Sequence, residues 1–80
     1  MEGPFWLINC NRSQVKRFIK NKQNKDRFFD YFFIDTGKII GALGNEPPVM
    51  QKREEFKIDA AREEWKKLLA QGWRVCKEVW

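Results

Sequence analysis

The sequence predicts an α+β fold: a small antiparallel sheet of about four or five strands, with one C-terminal helix packed across one face. Helical spacing of apolar residues occurs over residues 58–71, whereas short β-branched and aromatic runs separated by turn residues precede it. The chain has 80 residues, of which 42% are hydrophobic, with four tryptophans and seven phenylalanines, and this composition excludes a disordered chain. We therefore expect one small domain over residues 1–80.

Two segments near the N-terminus predict a β-hairpin. Residues 5–8 are apolar and rich in β-formers, and residues 9–13 are polar turn formers. In an extended chain, residues 15–20 divide between two faces, with Val15, Arg17 and Ile19 on one and Lys16, Phe18 and Lys20 on the other. Residues 21–26 are polar and lack periodicity, which predicts an exposed loop.

A second hairpin is predicted in the middle of the chain. Residues 28–34 concentrate aromatic residues and are the strongest strand candidate. Residues 35–38 contain Asp, Thr and Gly and predict a turn, after which Ile39 and Ile40 open the returning strand. Glycines and prolines over residues 41–48 predict a linker within the domain.

The segment before the helix permits two interpretations. Residues 49–56 either form an edge strand, whose central charges discourage pairing with other chains, or begin the helix early; we favour the strand. Asp59 is accordingly either the N-cap or an acidic residue at the second helical position.

The helix of residues 58–71 organises the predicted core. Its apolar stripe must be buried, and Glu63 and Lys67 are an i,i+4 pair on its polar side. Gly72 provides a left-handed C′ residue for a Schellman ending, and residues 73–76 predict a short final strand. We interpret the tryptophans as core residues, and the predicted structural core is Trp6, Phe32, Ile34, Ala61, Trp65, Leu68, Leu69, Gly72 and Trp73.

These features resemble a known family. The sequence FWLIN stands near the start, Asp35-Thr36-Gly37 follows an aromatic strand, and Arg53 precedes a helix that ends in Gly72-Trp73, with Trp80 at the terminus. The pattern is similar to that of the small cyanobacterial proteins called domain of unknown function 1651, over nearly the whole chain. The resemblance implies a host that is a marine cyanobacterium or its phage, and a cytosolic location. The family has no established activity, so it implies no functional residues.

Several chemistries are excluded by residue content. The chain has no histidine, which removes the commonest general base and metal ligand, and it has no glycine-rich phosphate loop. Cys10 and Cys76 lack the spacing of a zinc site and are expected to be free thiols. No apolar run is long enough to span a membrane. We therefore expect a cytoplasmic protein that is not an enzyme, holds no metal or cofactor and does not insert into membranes.

One stretch carries most of the positive charge. Between Arg12 and Arg27 there are seven basic residues and one acidic residue, in a chain of net charge +5. The predicted contact surface is Arg12, Lys16, Arg17, Phe18, Lys20, Lys22, Lys25, Arg27 and Phe28. Such a surface suits an acidic protein partner, anionic lipid headgroups, a nucleic-acid backbone with bases stacked on phenylalanine, or plain solvation.

Our leading hypothesis is a non-enzymatic interaction module, an accessory or regulatory protein that docks a larger cyanobacterial assembly. Nucleic-acid binding through the same surface is the alternative. A homodimer is a further expectation, since small domains often complete their cores by association.

Overall fold

The computed structural model describes residues 4–26, 28–40 and 48–77. Along this part of the chain five strands and one helix follow in the order β1 (Phe5–Ile8), β2 (Gln14–Lys20), β3 (Tyr31–Lys38), β4 (Val49–Lys57), α1 (Ile58–Ala70) and β5 (Arg74–Cys76). The strands form one sheet in the order β4-β3-β2-β1-β5, and every neighbouring pair is antiparallel. The predicted α+β class, with one helix on an antiparallel sheet, is confirmed. Arg27, Trp80 and residues 41–47 of the predicted linker lie outside the described residues.

The first hairpin forms where the turn residues predict it. Asn9 closes the turn: its N–H donates to the Gln14 carbonyl at 3.1 Å, and its Oδ1 accepts from the Ser13 N–H at 2.8 Å. Arg12 has a φ of +57°, a left-handed conformation that is uncommon outside glycine. Side-chain bonds from asparagine to the backbone therefore define this turn.

The predicted central hairpin is wrong. Strand β3 continues through the expected turn, Ile39 and Ile40 form no strand, and β3 pairs instead with β4. The ladder is irregular between Thr36 and Gly37, so the glycine marks a β-bulge rather than a turn. Phe28 precedes β3 and is not in a strand. Asp35 occupies a strand despite its turn preference because its carboxylate binds residues of both neighbouring strands.

Strand β4 leads directly into the helix, so the edge-strand prediction is confirmed and the early-helix alternative is wrong. Lys57 precedes α1 without a side-chain cap, and the Ile58 N–H donates instead to the Asp30 carbonyl at 2.9 Å. Asp59 lies in the first turn, where its carboxylate interacts favourably with the positive end of the helix dipole. The link to Asp30 anchors the start of the helix to the segment before β3.

The predicted Schellman ending is present at the end of α1. The Trp73 N–H donates to the Leu68 carbonyl at 3.0 Å, and the Gly72 N–H donates to the Leu69 carbonyl at 3.1 Å. Gly72 has the required positive φ, +98°. This ending turns the chain back toward the sheet, where β5 pairs with β1.

The strand register separates the sheet into two faces. The helix covers the face that carries Leu7, Phe18 and Ile34, which cluster with Leu68 of α1; we call it the helix face. Trp65 of the helix makes edge contacts with Phe18, at 5.1 Å between ring centroids, and with Phe5 of β1, at 5.9 Å. Residues that alternate with these point to the opposite side, which we call the far face.

Most of the predicted core is buried. Trp6, Phe32, Ile34, Ala61 and Leu68 are buried, and Trp65 and Trp73 pack against the cluster while partly exposed. Gly72 is exposed, so its part is to end the helix.

Leu69 is 41% exposed, and its assignment to the core was wrong. Adjacent helical residues point about 100° apart, because a helix has 3.6 residues per turn. The stripe through Ala61 and Trp65 therefore aligns Leu68, and not Leu69, with the sheet.

Candidate functional site

The structure divides the predicted basic surface among four places. Arg12 is in the turn between β1 and β2, whereas Lys22 and Lys25 are in the loop at the other end of β2. Lys16 lies on the helix face, and Arg17 lies on the far face. The stretch is continuous in sequence but does not form one surface, because successive residues of a strand point to opposite sides.

Phe18 is fully buried beneath Trp65, so its assignment to the contact surface was wrong. Phe18 lies on the same side of β2 as Lys16, and the helix packs against that side of the sheet. Phe28, by contrast, is 86% exposed in the loop before β3. Of the two predicted aromatic contacts, Phe28 alone is accessible.

Lys16 is enclosed by neighbouring side chains. Its Nζ donates to Thr36 Oγ1 at 3.1 Å and lies 5.8 Å from the centroid of the Trp73 ring. Desolvation, followed by repulsion from Lys52, lowers the pKa of the Lys16 ammonium group. Lys16 therefore belongs to the interior of the helix face and is poorly placed to meet a ligand.

An arginine–aspartate–arginine triad spans three strands of the far face. Asp35 on β3 is fully buried; Arg17 on β2 donates to its Oδ2 from Nε at 3.1 Å and from Nη2 at 2.7 Å. From β4, Arg53 donates through Nε to Oδ1 at 2.6 Å and through Nη2 to Oδ2 at 2.9 Å. The register places all three residues in one row across the sheet.

The charge state of Asp35 is set by this triad. Burial by itself would raise the pKa of the Asp35 carboxyl, but the hydrogen bonds and charges of Arg53 and Arg17 outweigh burial and hold the pKa below its ordinary value. The carboxylate is therefore ionised at neutral pH. A carboxylate with its lone pairs taken up by two guanidinium groups is unsuited to general-base chemistry.

Aromatic rings hold both arginines in position. The guanidinium carbon of Arg17 lies 5.5 Å from the Trp6 ring centroid, and that of Arg53 lies 4.3 Å from the Phe33 ring centroid. Arg17 is mostly covered, with 19% of its side chain exposed, whereas Arg53 is 44% exposed. Arg53 is the accessible member of the triad, and it is fixed on two sides.

A groove of about 440 Å³ crosses the far face beside the triad. Ile19 and Phe33, directly opposed in the β2–β3 register, give it an apolar part, together with Pro4, which precedes β1. Arg53 of β4 and Lys22 of the loop after β2 also line it, with the polar side chains of Asn21 and Gln23. Lys20 reaches the groove at the end of β2, but its register places its side chain toward the helix face. The groove therefore combines apolar and cationic contacts.

The loop between β2 and β3 is held by side-chain hydrogen bonds. Asn21 donates to the Glu55 carboxylate on β4 and also accepts the Gln23 N–H at 3.1 Å. Asp26 accepts the Phe28 N–H at 2.8 Å and the Tyr31 hydroxyl at 2.9 Å. These bonds, led by the one from Phe28, lower the pKa of the exposed Asp26 carboxyl. The loop thus presents its lysines and Phe28 from a defined framework.

Sequence reasoning missed Asp35 and Arg53 as a functional pair. Asp35 lies eighteen residues from each arginine, so no local pattern connects them. The available signal was an aspartate inside a run of aromatic and β-branched residues, where a carboxylate needs a partner. The sequence-based prediction instead assigned Asp35 to a turn.

No cluster of three metal-ligating side chains occurs among residues 4–26, 28–40 and 48–77. Cys10 and Cys76 are both free thiols, and burial raises the pKa of Cys76. Over the same ranges, no helix has the length and apolar character needed to cross a membrane.

Comparison with known families decides the relationship of the chain. The model of the family described as Protein of unknown function (DUF1651) matches residues 5–80. The chain belongs to the DUF1651 family. The match includes the first strand, the triad and the whole helix of this DUF1651 protein, and the predicted resemblance is confirmed. Neither the curated proteins nor the solved structures include a match to the chain.

Proposed function

We propose that this DUF1651 protein is a non-enzymatic interaction module, an accessory or regulatory protein that docks a larger assembly of a cyanobacterial cytoplasm. The observation that carries the proposal is the groove on the far face, where the apolar side chains of Ile19 and Phe33 lie beside Arg53 and Lys22. Interface cores are apolar, and arginine is enriched in them. The contact surface proposed here therefore keeps Lys22 of the sequence-based surface and adds Arg53, Ile19 and Phe33.

The state of the charged groups supports binding over catalysis. Asp35, the carboxylate of the triad, is neutralised by its own arginines, and the chain has no histidine to act with it. The groups that line the groove are cations, apolar side chains and the amides of Asn21 and Gln23. Such a set recognises a surface without supplying a nucleophile and base pair.

Capture from a cyanobacterial lysate tests the docking function. The lysate is treated with nuclease and passed over immobilised wild-type protein and over the double variant Ile19→Thr, Lys22→Glu, which changes one apolar and one cationic residue of the groove. The control is Lys66→Glu, which makes the same charge change on the exposed back of the helix. We expect proteins that bind the wild type and the control but not the groove variant. Identical capture by all three would contradict docking through the groove.

Nucleic-acid binding remains the second candidate because of the loop after β2. Lys22 and Lys25 are exposed there, and Phe28, the accessible aromatic, lies in the same connection. Cations that track phosphates together with an aromatic ring that stacks a base are the combination used for single strands. Phe18 is buried against Trp65 of the helix, and Lys16 lies on the helix face beside Thr36 and Trp73, so neither is part of this surface.

Fluorescence anisotropy with labelled single-stranded and double-stranded oligonucleotides tests this candidate. Phosphate-driven binding weakens as salt rises, with a logarithmic slope of about −0.7 per phosphate contact for single strands. The variants are Lys22→Glu with Lys25→Glu, and Phe28→Ala, against Lys66→Glu as the control. Binding lost in the loop variants and kept in the control would support nucleic acid. Absence of binding at low salt would eliminate it.

A further inference from the structure

Arg53 has hydrogen-bond donors at the groove that Asp35 does not use. Its Nε and Nη2 bind Asp35, but its Nη1 group makes no hydrogen bond with the described residues. Asp35 and the Phe33 ring hold the guanidinium in place before any ligand arrives. A guanidinium with free donors in a fixed orientation is a receptor for a carboxylate or phosphate oxygen, because little side-chain entropy is lost on binding.

Lys22 supplies a second cation to the groove. Lys22 is exposed and has no ion pair within the described chain, whereas Lys20 is 3.7 Å from the Asp30 carboxylate. Ile19 and Phe33 line the same groove as Lys22 and Arg53. A complementary ligand therefore carries anionic groups close to an apolar group.

The aromatic ring in the groove distinguishes a peptide from a nucleic acid. Base stacking requires a free ring face, and the face of Phe33 toward Arg53 is already covered at 4.3 Å. The rest of the apolar lining comes from Ile19 and Pro4, which suit an aliphatic or aromatic side chain. The volume of about 440 Å³ accommodates a short segment and not a whole protein surface.

We infer that the groove binds an acidic segment of a partner protein, with an apolar side chain on Ile19 and Phe33 and nearby carboxylates on Arg53 and Lys22. This inference rests on the proposed docking function and adds the chemistry of the partner. The triad has a defined part in it. Arg17 and Asp35 hold Arg53 in the orientation that receives the carboxylate, and they do not contact the ligand themselves.

The test is selection from a random twelve-residue peptide library displayed on phage, against the folded full-length protein. Enriched peptides are then synthesised with a fluorescent label and measured by anisotropy. We expect peptides with at least two Asp or Glu residues close to an apolar residue. Lys22→Glu should weaken their binding at least tenfold, and Lys66→Glu, with the same charge change on the helix, should alter it less than twofold.

Titration followed by NMR locates the peptide. The Arg53 Nε–H resonance and the backbone amides of residues 19–23 and 33 should shift, while those of the exposed helix back should not. Enriched peptides that are neutral or basic, or that bind Lys22→Glu as well as wild type, would overturn the inference. So would an enriched acidic peptide that shifts resonances elsewhere.

Failure of this inference is separable from failure of the docking function. Lysate proteins that depend on Ile19 and Lys22, in the absence of any acidic peptide enrichment, would refute the acidic-segment chemistry and leave docking in place. Lysate capture that is indifferent to the groove variant would refute both. Oligonucleotide binding that requires Lys22 and displaces an enriched peptide would replace the peptide with a nucleic acid.

Discussion

Replacement of Arg17 by methionine should destabilise this protein more than the same replacement of Arg53. Methionine keeps most of the aliphatic packing and removes the guanidinium. Each arginine donates two hydrogen bonds to the fully buried Asp35 carboxylate, and hydrogen bonds to charged groups are worth about 1.5–3 kcal/mol each. Removal of one partner from a buried ion pair costs about 3–5 kcal/mol, which is an upper limit here because the second arginine remains.

The difference in exposure between the two arginines determines which variant is destabilised more. Arg17 is the less exposed arginine, at 19% against 44%, so water replaces its hydrogen bonds less effectively. We expect a loss of about 2–4 kcal/mol in the free energy of unfolding for Arg17→Met and about 1–2 kcal/mol for Arg53→Met. In a domain of this size each kcal/mol lowers Tm by about 4–8 °C.

Urea unfolding followed by tryptophan fluorescence measures these losses, with circular dichroism as a check on the native fold. Asp35→Asn keeps the shape but leaves two guanidinium groups without their carboxylate, so it should also be strongly destabilising. The triple variant Arg17→Met, Asp35→Leu, Arg53→Met removes all three charges. It should be more stable than Asp35→Asn, because no buried charge is left uncompensated.

The reasoning is refuted by either of two results. If every single variant lost less than about 0.5 kcal/mol in the free energy of unfolding, the Asp35 carboxylate would have to be solvent-exposed, because changes of that size are typical of surface positions. A larger loss for Arg53→Met than for Arg17→Met would show that exposure does not control the strength of the two pairs.

Other predictions concern acid stability and the helix. Asp35 and Asp26 have lowered pKa values in the folded protein, so the unfolded chain binds more protons below a pH of about 3.9, and the free energy of unfolding should fall as pH decreases. In Asp35→Asn and in Asp26→Asn, the urea midpoint should depend less on pH than in the wild type. Leu68→Ala should cost about 2–5 kcal/mol and Leu69→Ala less than about 0.5 kcal/mol in urea unfolding; equal costs would contradict their placement. Gly72→Ala should cost about 1–2 kcal/mol in thermal melts, with Gly72→Asn less affected.

Local signals in the sequence determined the elements whose partners are close in the chain. The helix of Ile58–Ala70 and its Schellman ending follow from apolar spacing and Gly72, and both depend on contacts within a few residues. The first hairpin follows from the turn chemistry of Asn9 in the same way. The edge strand β4 was predicted because its charges suit an unpaired edge.

Tertiary structure alone decided the site. A turn and a strand were both compatible with Asp35, and the strand is selected by two arginines that lie eighteen residues away on either side. The same assembly buries Phe18 under the helix and leaves Leu69 exposed. The groove combines Ile19 and Phe33, which are opposed across β2 and β3, with Arg53 of β4, whose guanidinium lies over the Phe33 ring. Contacts between distant parts of the chain contribute ion-pair and burial energies that exceed local preferences, and no local pattern records them.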